Sequence, residues 1–331
     1  MSKNKKSIIW TIVLLPVLIL TTFLGFVWYV FKATTQLTNN EKSSLKKAKE
    51  KWHQQAFDSR AFFEKYPSEI IALKSGHGDH QIPMTWFYQD ISKKRDRPTI
   101  IAVHGLGGNR YTILPVVEKF LERGYNVIIY DQRSSGENYA RYTTFGYLEK
   151  FDLMDVLAFV APYIKSHLLG LWGESFGGGT VGLALSEQQV EETVDFAIMD
   201  CPVDGLEWYI KQDLLEKHFP KKIIDSIVYT SNWLNHKILH YHYDDLNVSQ
   251  NINELKRPVL VVRTLADELT PAFMGEAIYE AIENDNKILW TVKDSAHVKI
   301  RNDYPDQYWA LVDEVVQRAN QPQPAKRLYT I

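Results

Sequence analysis

Leu168-Leu169-Gly170-Leu171-Trp172-Gly173-Glu174-Ser175-Phe176-Gly177-Gly178-Gly179 decides how the rest of the chain is read. An apolar run suited to a buried strand ends at Gly173, and Thr180-Val181-Gly182-Leu183-Ala184-Leu185 continues beyond it at helical spacing. Between the two, Gly173-x-Ser175-x-Gly177 predicts a sharp strand-to-helix turn. Such a turn strains the serine backbone, and a Cβ at either flanking glycine would meet the neighbouring strand or helix. It lifts the hydroxyl above the end of the sheet and aims the free N–H groups of the helix start at it.

Around this stretch lies a chain of 331 residues, enough for one large or two ordinary domains. It is 45% hydrophobic and 24% charged, a globular balance. A net charge of −2 leaves no basic surplus, so no nucleic-acid partner is expected. The single cysteine, Cys201, excludes an internal disulfide and a multi-cysteine metal site. His236 and His240 share a helix face and His242 follows, but no cysteine or acidic residue stands at ligand spacing. No metal and no cofactor are expected.

From Ile8 to Phe31 the chain carries no charge, a length that suits a bilayer-spanning helix. Trp10 and Trp28-Tyr29 lie near its ends, where aromatic anchors sit. The run is too long for the core of a cleaved signal, and Phe31-Lys32-Ala33-Thr34-Thr35 is a poor cleavage site. Residues 1–33 are therefore expected to be an uncleaved single-pass anchor, meeting the membrane through residues 8–31. The alternative is a buried soluble-core helix, because the run is apolar on every face. Lys3, Lys5 and Lys6 favour a cytoplasmic start and a body outside the cell membrane; Lys32, Lys42, Lys46, Lys47, Lys49 and Lys51 weaken that bias. Residues 34–65 read as a polar, Lys-rich linker and a lead-in helix.

The body, 66–331, alternates strand and helix. Strands are expected at Ile70–Leu73, Met84–Tyr88, Pro98–Val103, Tyr125–Tyr130, Asp195–Met199, Pro258–Arg263 and Lys287–Val292. Helices are expected at Ile113–Glu122, Leu148–Ile164, Pro271–Ile282 and Gln307–Arg318. That alternation implies an α/β fold with a mostly parallel sheet covered on both faces. Residues 203–256 break the rhythm and read as a helical insertion rich in aromatic residues, a cap.

These residues resemble the α/β-hydrolase superfamily over roughly Ile70 to Ala319. The resemblance rests on His104-Gly105-Leu106-Gly107-Gly108, Asp131-Gln132-Arg133-Ser134-Ser135-Gly136, Ser175, Asp267 and His297. Within it the chain is most similar to bacterial membrane-anchored serine hydrolases of the serine-aminopeptidase-like group. It departs from the usual pattern at Ser134, where glycine is common, and at Arg263-Thr264-Leu265-Ala266, where the strand usually ends in glycine.

The resemblance implies a nucleophile, an acid and a histidine in that chain order. Ser175 is the expected nucleophile, and His297, in the loop after the last strand, the base that takes its proton. Asp267 is the expected acid, with Glu268 beside it and Asp200 after the preceding strand as rivals. The backbone N–H groups of Leu106 and Phe176 would form the oxyanion hole. His104 is expected to anchor a loop, Asp131 and Arg133 to tie loops together, and Glu174 to bond a neighbouring loop or a cationic substrate group. Trp208 and Trp233 in the cap would line an apolar pocket. The chemistry expected is hydrolysis of a small acyl ester through an acyl-enzyme. A peptidase or thioesterase with the same residues, and a non-catalytic membrane-tethered binding protein, are the alternatives.

Overall fold

The protein is described by a computed structural model over residues 3–37, 44–164, 167–252 and 255–321. In chain order the first elements are α1 (Lys3–Thr35), α2 (Ser44–Gln54), α3 (Ser59–Lys65), β1 (Ser68–Lys74), β2 (Gln81–Phe87) and β3 (Thr99–Val103). Then come α4 (Leu114–Glu122), β4 (Asn126–Tyr130), α5 (Tyr147–Val160), β5 (Leu169–Glu174), α6 (Phe176–Leu185), α7 (Gln188–Thr193) and β6 (Phe196–Asp200). After them follow α8 (Glu207–Glu216), α9 (Lys221–Leu239), α10 (Val248–Asn251) and β7 (Val259–Thr264). The chain closes with α11 (Ala272–Ala281), β8 (Lys287–Val292), α12 (Ile300–Asp303) and α13 (Pro305–Ala319). It forms two compact units: Met1–Leu37 with Leu206–Tyr243, and Thr38–Gly205 with Asp244–Ile331.

The larger unit is built on one sheet in the order β1-β2-β4-β3-β5-β6-β7-β8. β2 pairs antiparallel with both β1 and β4 at one edge, and the remaining neighbours are parallel. The pleat sends alternate side chains to opposite faces. Ile100, Ala102, Val127, Ile129 and Trp172 join one buried layer, with Phe120, Tyr308 and Val312 from its helices. Ile101, Val103, Ile128 and Leu171 join the other, with Leu153, Val181 and Ile278. Both faces being covered explains why these strands read as unbroken apolar runs.

Register fixes where function can gather. Val103 pairs with Gly173, Glu174 with Asp200, and Thr264 with Val292, so the strands end together. The loops beginning at His104, Ser175, Cys201, Leu265 and Lys293 therefore leave from one edge. This is the edge where open α/β sheets place their ligands.

Two parts of the larger unit pack on the body more closely than their polar composition suggests. Residues 44–65 are two helices packed on the body: Ala48, Trp52 and Phe62 are buried in the first layer, and Trp52 Nε1–H donates to the Tyr111 carbonyl at 2.8 Å. Val248, Ile252 and Leu255, inside the expected insertion, belong to the second layer of the body. In both places a segment of polar composition hides an apolar stripe on its inner face. The helix expected to run to Ile164 ends at Val160, because Pro162 has no N–H to continue it.

The smaller unit holds α1, α8 and α9. α1 is long and apolar enough to cross a membrane. Leu14 to Leu20 are exposed, whereas Val27, Val30 and Phe31 are buried at helical spacing. Here α1 packs on α9, and Phe26 stacks on Phe219 with ring centroids 5.4 Å apart.

Trp52→Ala removes a fully buried indole and its hydrogen bond. It should destabilise the body by about 3–5 kcal/mol, read as a lowered midpoint in thermal unfolding of the detergent-solubilised chain. An unchanged midpoint would mean that α2 is a free linker.

Candidate active site

The turn between β5 and α6 has the geometry that its glycines permit. Ser175 adopts φ 55° and ψ −122°, a region an L-residue enters only under constraint. A Cβ on Gly173 would strike the backbone of Gly177, and one on Gly177 would strike the backbone of Val103 and His104. The strained residue is pinned from both sides: Ser175 N–H donates to the Asp200 carbonyl at 2.8 Å, and its carbonyl accepts from Gly179 and Val203.

Residues far apart in sequence meet at this serine. His297 Nε2 lies 2.8 Å from Ser175 Oγ, and His297 Nδ1 lies 2.7 Å from Asp267 Oδ2. Asp267 Oδ1 also accepts the N–H groups of Leu269 at 2.9 Å and Thr270 at 2.8 Å. The Thr270 hydroxyl stands 2.9 Å from Asp267 Oδ2 and 3.2 Å from His297 Nδ1. Burial alone would raise the Asp267 carboxyl, but the hydrogen bonds from His297 and Thr270 outweigh it and hold the group below the usual aspartate value. A carboxylate so held keeps the proton on Nδ1 and leaves Nε2 facing the hydroxyl as an acceptor.

Asp200 does not take part in this relay. Its carboxylate is buried against Arg301 Nη1 at 2.9 Å and the Tyr308 hydroxyl at 3.1 Å. Glu268 follows Asp267, but it is the Asp267 carboxylate that the imidazole meets.

The loop after β3 passes directly over the serine. A Cβ on Gly105 would lie 3.3 Å from Ser175 Cβ, so the Leu106 amide follows at close range. Phe176 opens α6, and the first N–H groups of a helix have no acceptor inside it. His104 is wholly buried: its Nδ1 meets the Gly105 carbonyl at 2.8 Å, and its Nε2 accepts from Gln132 N–H at 3.1 Å. Burial lowers its pKa. It is a loop anchor with both nitrogens used.

Asp131 accepts from Arg110 and from the Glu137 amide, while Arg133 reaches the Tyr142 carbonyl and Asp152. Both tie loops together. Glu174 is likewise occupied, paired with Lys51 and Arg301. Ser134, where the sequence departs from the usual glycine, takes φ 55° and donates to the Ala140 carbonyl. Trp208 and Trp233 lie on α8 and α9 of the smaller unit; Trp208 meets Tyr209 edge-on and Trp233 is half exposed. In that unit the His236 and His242 rings stack at 4.1 Å, face to face rather than converging on a point. The Cys201 thiol lies near Asp267 and His297, and burial pushes it well above its ordinary value.

Three participants were missed in the sequence. Thr270, three residues after Asp267, carried the spacing of an Asx-type turn. Lys51 and Arg301 carried no local signal at all.

Comparison with known proteins agrees with the fold. A family model described as alpha/beta hydrolase fold matches residues 98–212. The Pyrococcus furiosus esterase Pf2001 superimposes with a TM-score of 0.56 at 21% identity, covering 76% of this chain and 93% of the esterase. The chain has the α/β-hydrolase fold. Mouse alpha/beta hydrolase domain-containing protein 10 shares that fold at a TM-score of 0.57 and 15% identity, over 76% of this chain and 99% of its own. In sequence, the uncharacterized protein YqkD of Bacillus subtilis (strain 168) is 26% identical over 228 residues, 67% of this chain and 72% of the relative. The fold is thus shared with both solved structures, whose names differ in what they say of activity.

The role of His104 is open to direct measurement. Because its folded value lies below the ordinary 6.5, the stability it contributes is complete above that pH and is lost as pH falls from there toward the folded value. At pH 6.5, where a free histidine is half protonated, nitrogen-15 NMR of the ring should show a predominantly neutral, Nδ1-protonated imidazole. A charged ring at that pH would contradict the anchoring role.

Proposed function

We propose that this chain is a serine hydrolase that cleaves carboxylic esters through an acyl-enzyme and is held to a membrane by α1. The observation that carries the reading is the continuous relay from Ser175 Oγ through His297 to Asp267. The α/β-hydrolase fold and the likeness to the esterase Pf2001 support it.

In the proposed cycle Ser175 Oγ attacks the ester carbonyl carbon as His297 Nε2 takes its proton. Asp267 stabilises the imidazolium that forms and keeps its orientation. The carbonyl oxygen becomes an oxyanion, and the amides of Leu106 and Phe176 donate to it. Collapse breaks the bond to the alcohol oxygen, which leaves with the proton from His297. Water then repeats the sequence, giving up a proton to Nε2 and releasing the carboxylic acid and the free Ser175 hydroxyl. No step calls on a cofactor.

The same relay serves a peptidase or thioesterase; the likeness to a solved esterase favours the ester reading. For localisation, the charge-free run of α1 supports a single-pass anchor, and Lys3, Lys5 and Lys6 support a cytoplasmic start with the catalytic body outside.

Ser175→Ala should cut hydrolysis of a p-nitrophenyl ester by about 10⁴-fold or more and abolish labelling by a fluorophosphonate probe, with circular dichroism unchanged. Unchanged turnover would contradict the assignment. An impermeant form of the probe should label intact cells as well as lysed ones; labelling only after lysis would reverse the topology.

A further inference from the structure

Directly behind the serine lies a buried group of charges that the proposed cycle does not use. Glu174 precedes Ser175, is only 2% exposed, and packs beside the loop carrying Leu106: a Cβ on Gly105 would lie 3.7 Å from Glu174 Cγ. Asp200, at the end of the neighbouring strand, is fully buried. Arg301 is shared between the two carboxylates, with Nη2 at 2.6 Å from Glu174 and Nη1 at 2.9 Å from Asp200. One cation therefore faces two anions. The second cation is Lys51, whose Nζ lies 3.2 Å from Glu174 Oε1.

We propose that Lys51, on α2 between the anchor segment and the sheet, is a positioning residue of the hydrolytic site. Its charge completes the neutralisation of Glu174 and Asp200, so that no net negative charge stands behind the oxygen that becomes an oxyanion. The inference rests on Ser175 being the nucleophile.

The physical argument is one of sign. Attack places negative charge on the substrate oxygen, a few ångströms from the elbow backbone. A buried uncompensated carboxylate there opposes that charge in a medium of low effective dielectric. The groups facing Glu174 are Lys51 from α2, Arg301 from α12, Asp200 from β6, with Tyr308 behind it, and neutral His104 from the loop after β3. Although burial opposes ionisation, Lys51 and Arg301 hold the Glu174 carboxyl down to about 2. Lys51 remains one-third exposed, so its stem enters from the surface.

The test is a charge-balance cycle in the full, detergent-solubilised chain, with kcat and KM for a p-nitrophenyl ester and the rate of fluorophosphonate labelling. Lys51→Met should lower kcat about ten-fold with KM unchanged. Lys51→Arg should retain wild-type kcat. Lys51→Met combined with Glu174→Gln, which removes one charge of each sign, should recover most of the loss. A merely structural lysine predicts the double variant to be no better than Lys51→Met; that result, or an unaltered kcat in Lys51→Met, overturns the proposal. Should Lys51→Met alone not fold, the neutral double variant still reads the balance: wild-type-like kcat supports it and a ten-fold deficit refutes it. Failure of the wild-type chain to label at all would instead remove the hydrolase reading.

Discussion

The close approach of the β5–α6 turn to the end of β3 is the constraint on which the rest of the site depends. Gly173 and Gly177 allow it because neither carries a side chain into the backbone opposite. Only then can Ser175 sit at φ 55°, with its amide tied to Asp200 and its hydroxyl raised above the sheet edge. The strain is confined to a segment with fully buried flanks, where the surrounding packing over-determines the backbone. From that fixed point the other distances follow. β7 and β8 end in register with β5 and β6, so their loops deliver Asp267 and His297 to the same edge.

Charge is arranged in two layers around this turn. On the solvent side, Asp267 is held ionised by donors from its own loop and from His297, which orders the imidazole. On the inner side, Glu174 and Asp200 face Arg301 and Lys51, with Tyr308 and Trp172 extending the hydrogen bonds into the core. Buried ion groups of this kind contribute little net stability, since desolvation offsets attraction. The role proposed for them beside the serine is the field they set there.

How much of this was legible in the sequence depended on whether the signal was local. The turn at Ser175 was legible because its glycines, strand and helix are contiguous. Asp267 and His297 were legible from their places after successive strands, and the relay joins them. Asp267 was the expected acid and Asp200 its rival, as both follow strands; in the structure the burial of Asp200 against Arg301 sets it apart. α2 looked like a linker because Lys46, Lys47, Lys49 and Lys51 dominate its composition, whereas Ala48 and Trp52 carry the packing. The pairing of Lys51 with Glu174 spans 123 positions, and no periodicity or spacing reports a contact of that range.

The most direct test of the account is a crystal structure of the chain after reaction with a fluorophosphonate. The account predicts phosphorus bonded to Ser175 Oγ, the phosphoryl oxygen within hydrogen-bonding distance of the amides of Leu106 and Phe176, and His297 still joined to Asp267. An adduct on any other residue, or a phosphoryl oxygen turned away from both amides, would contradict it.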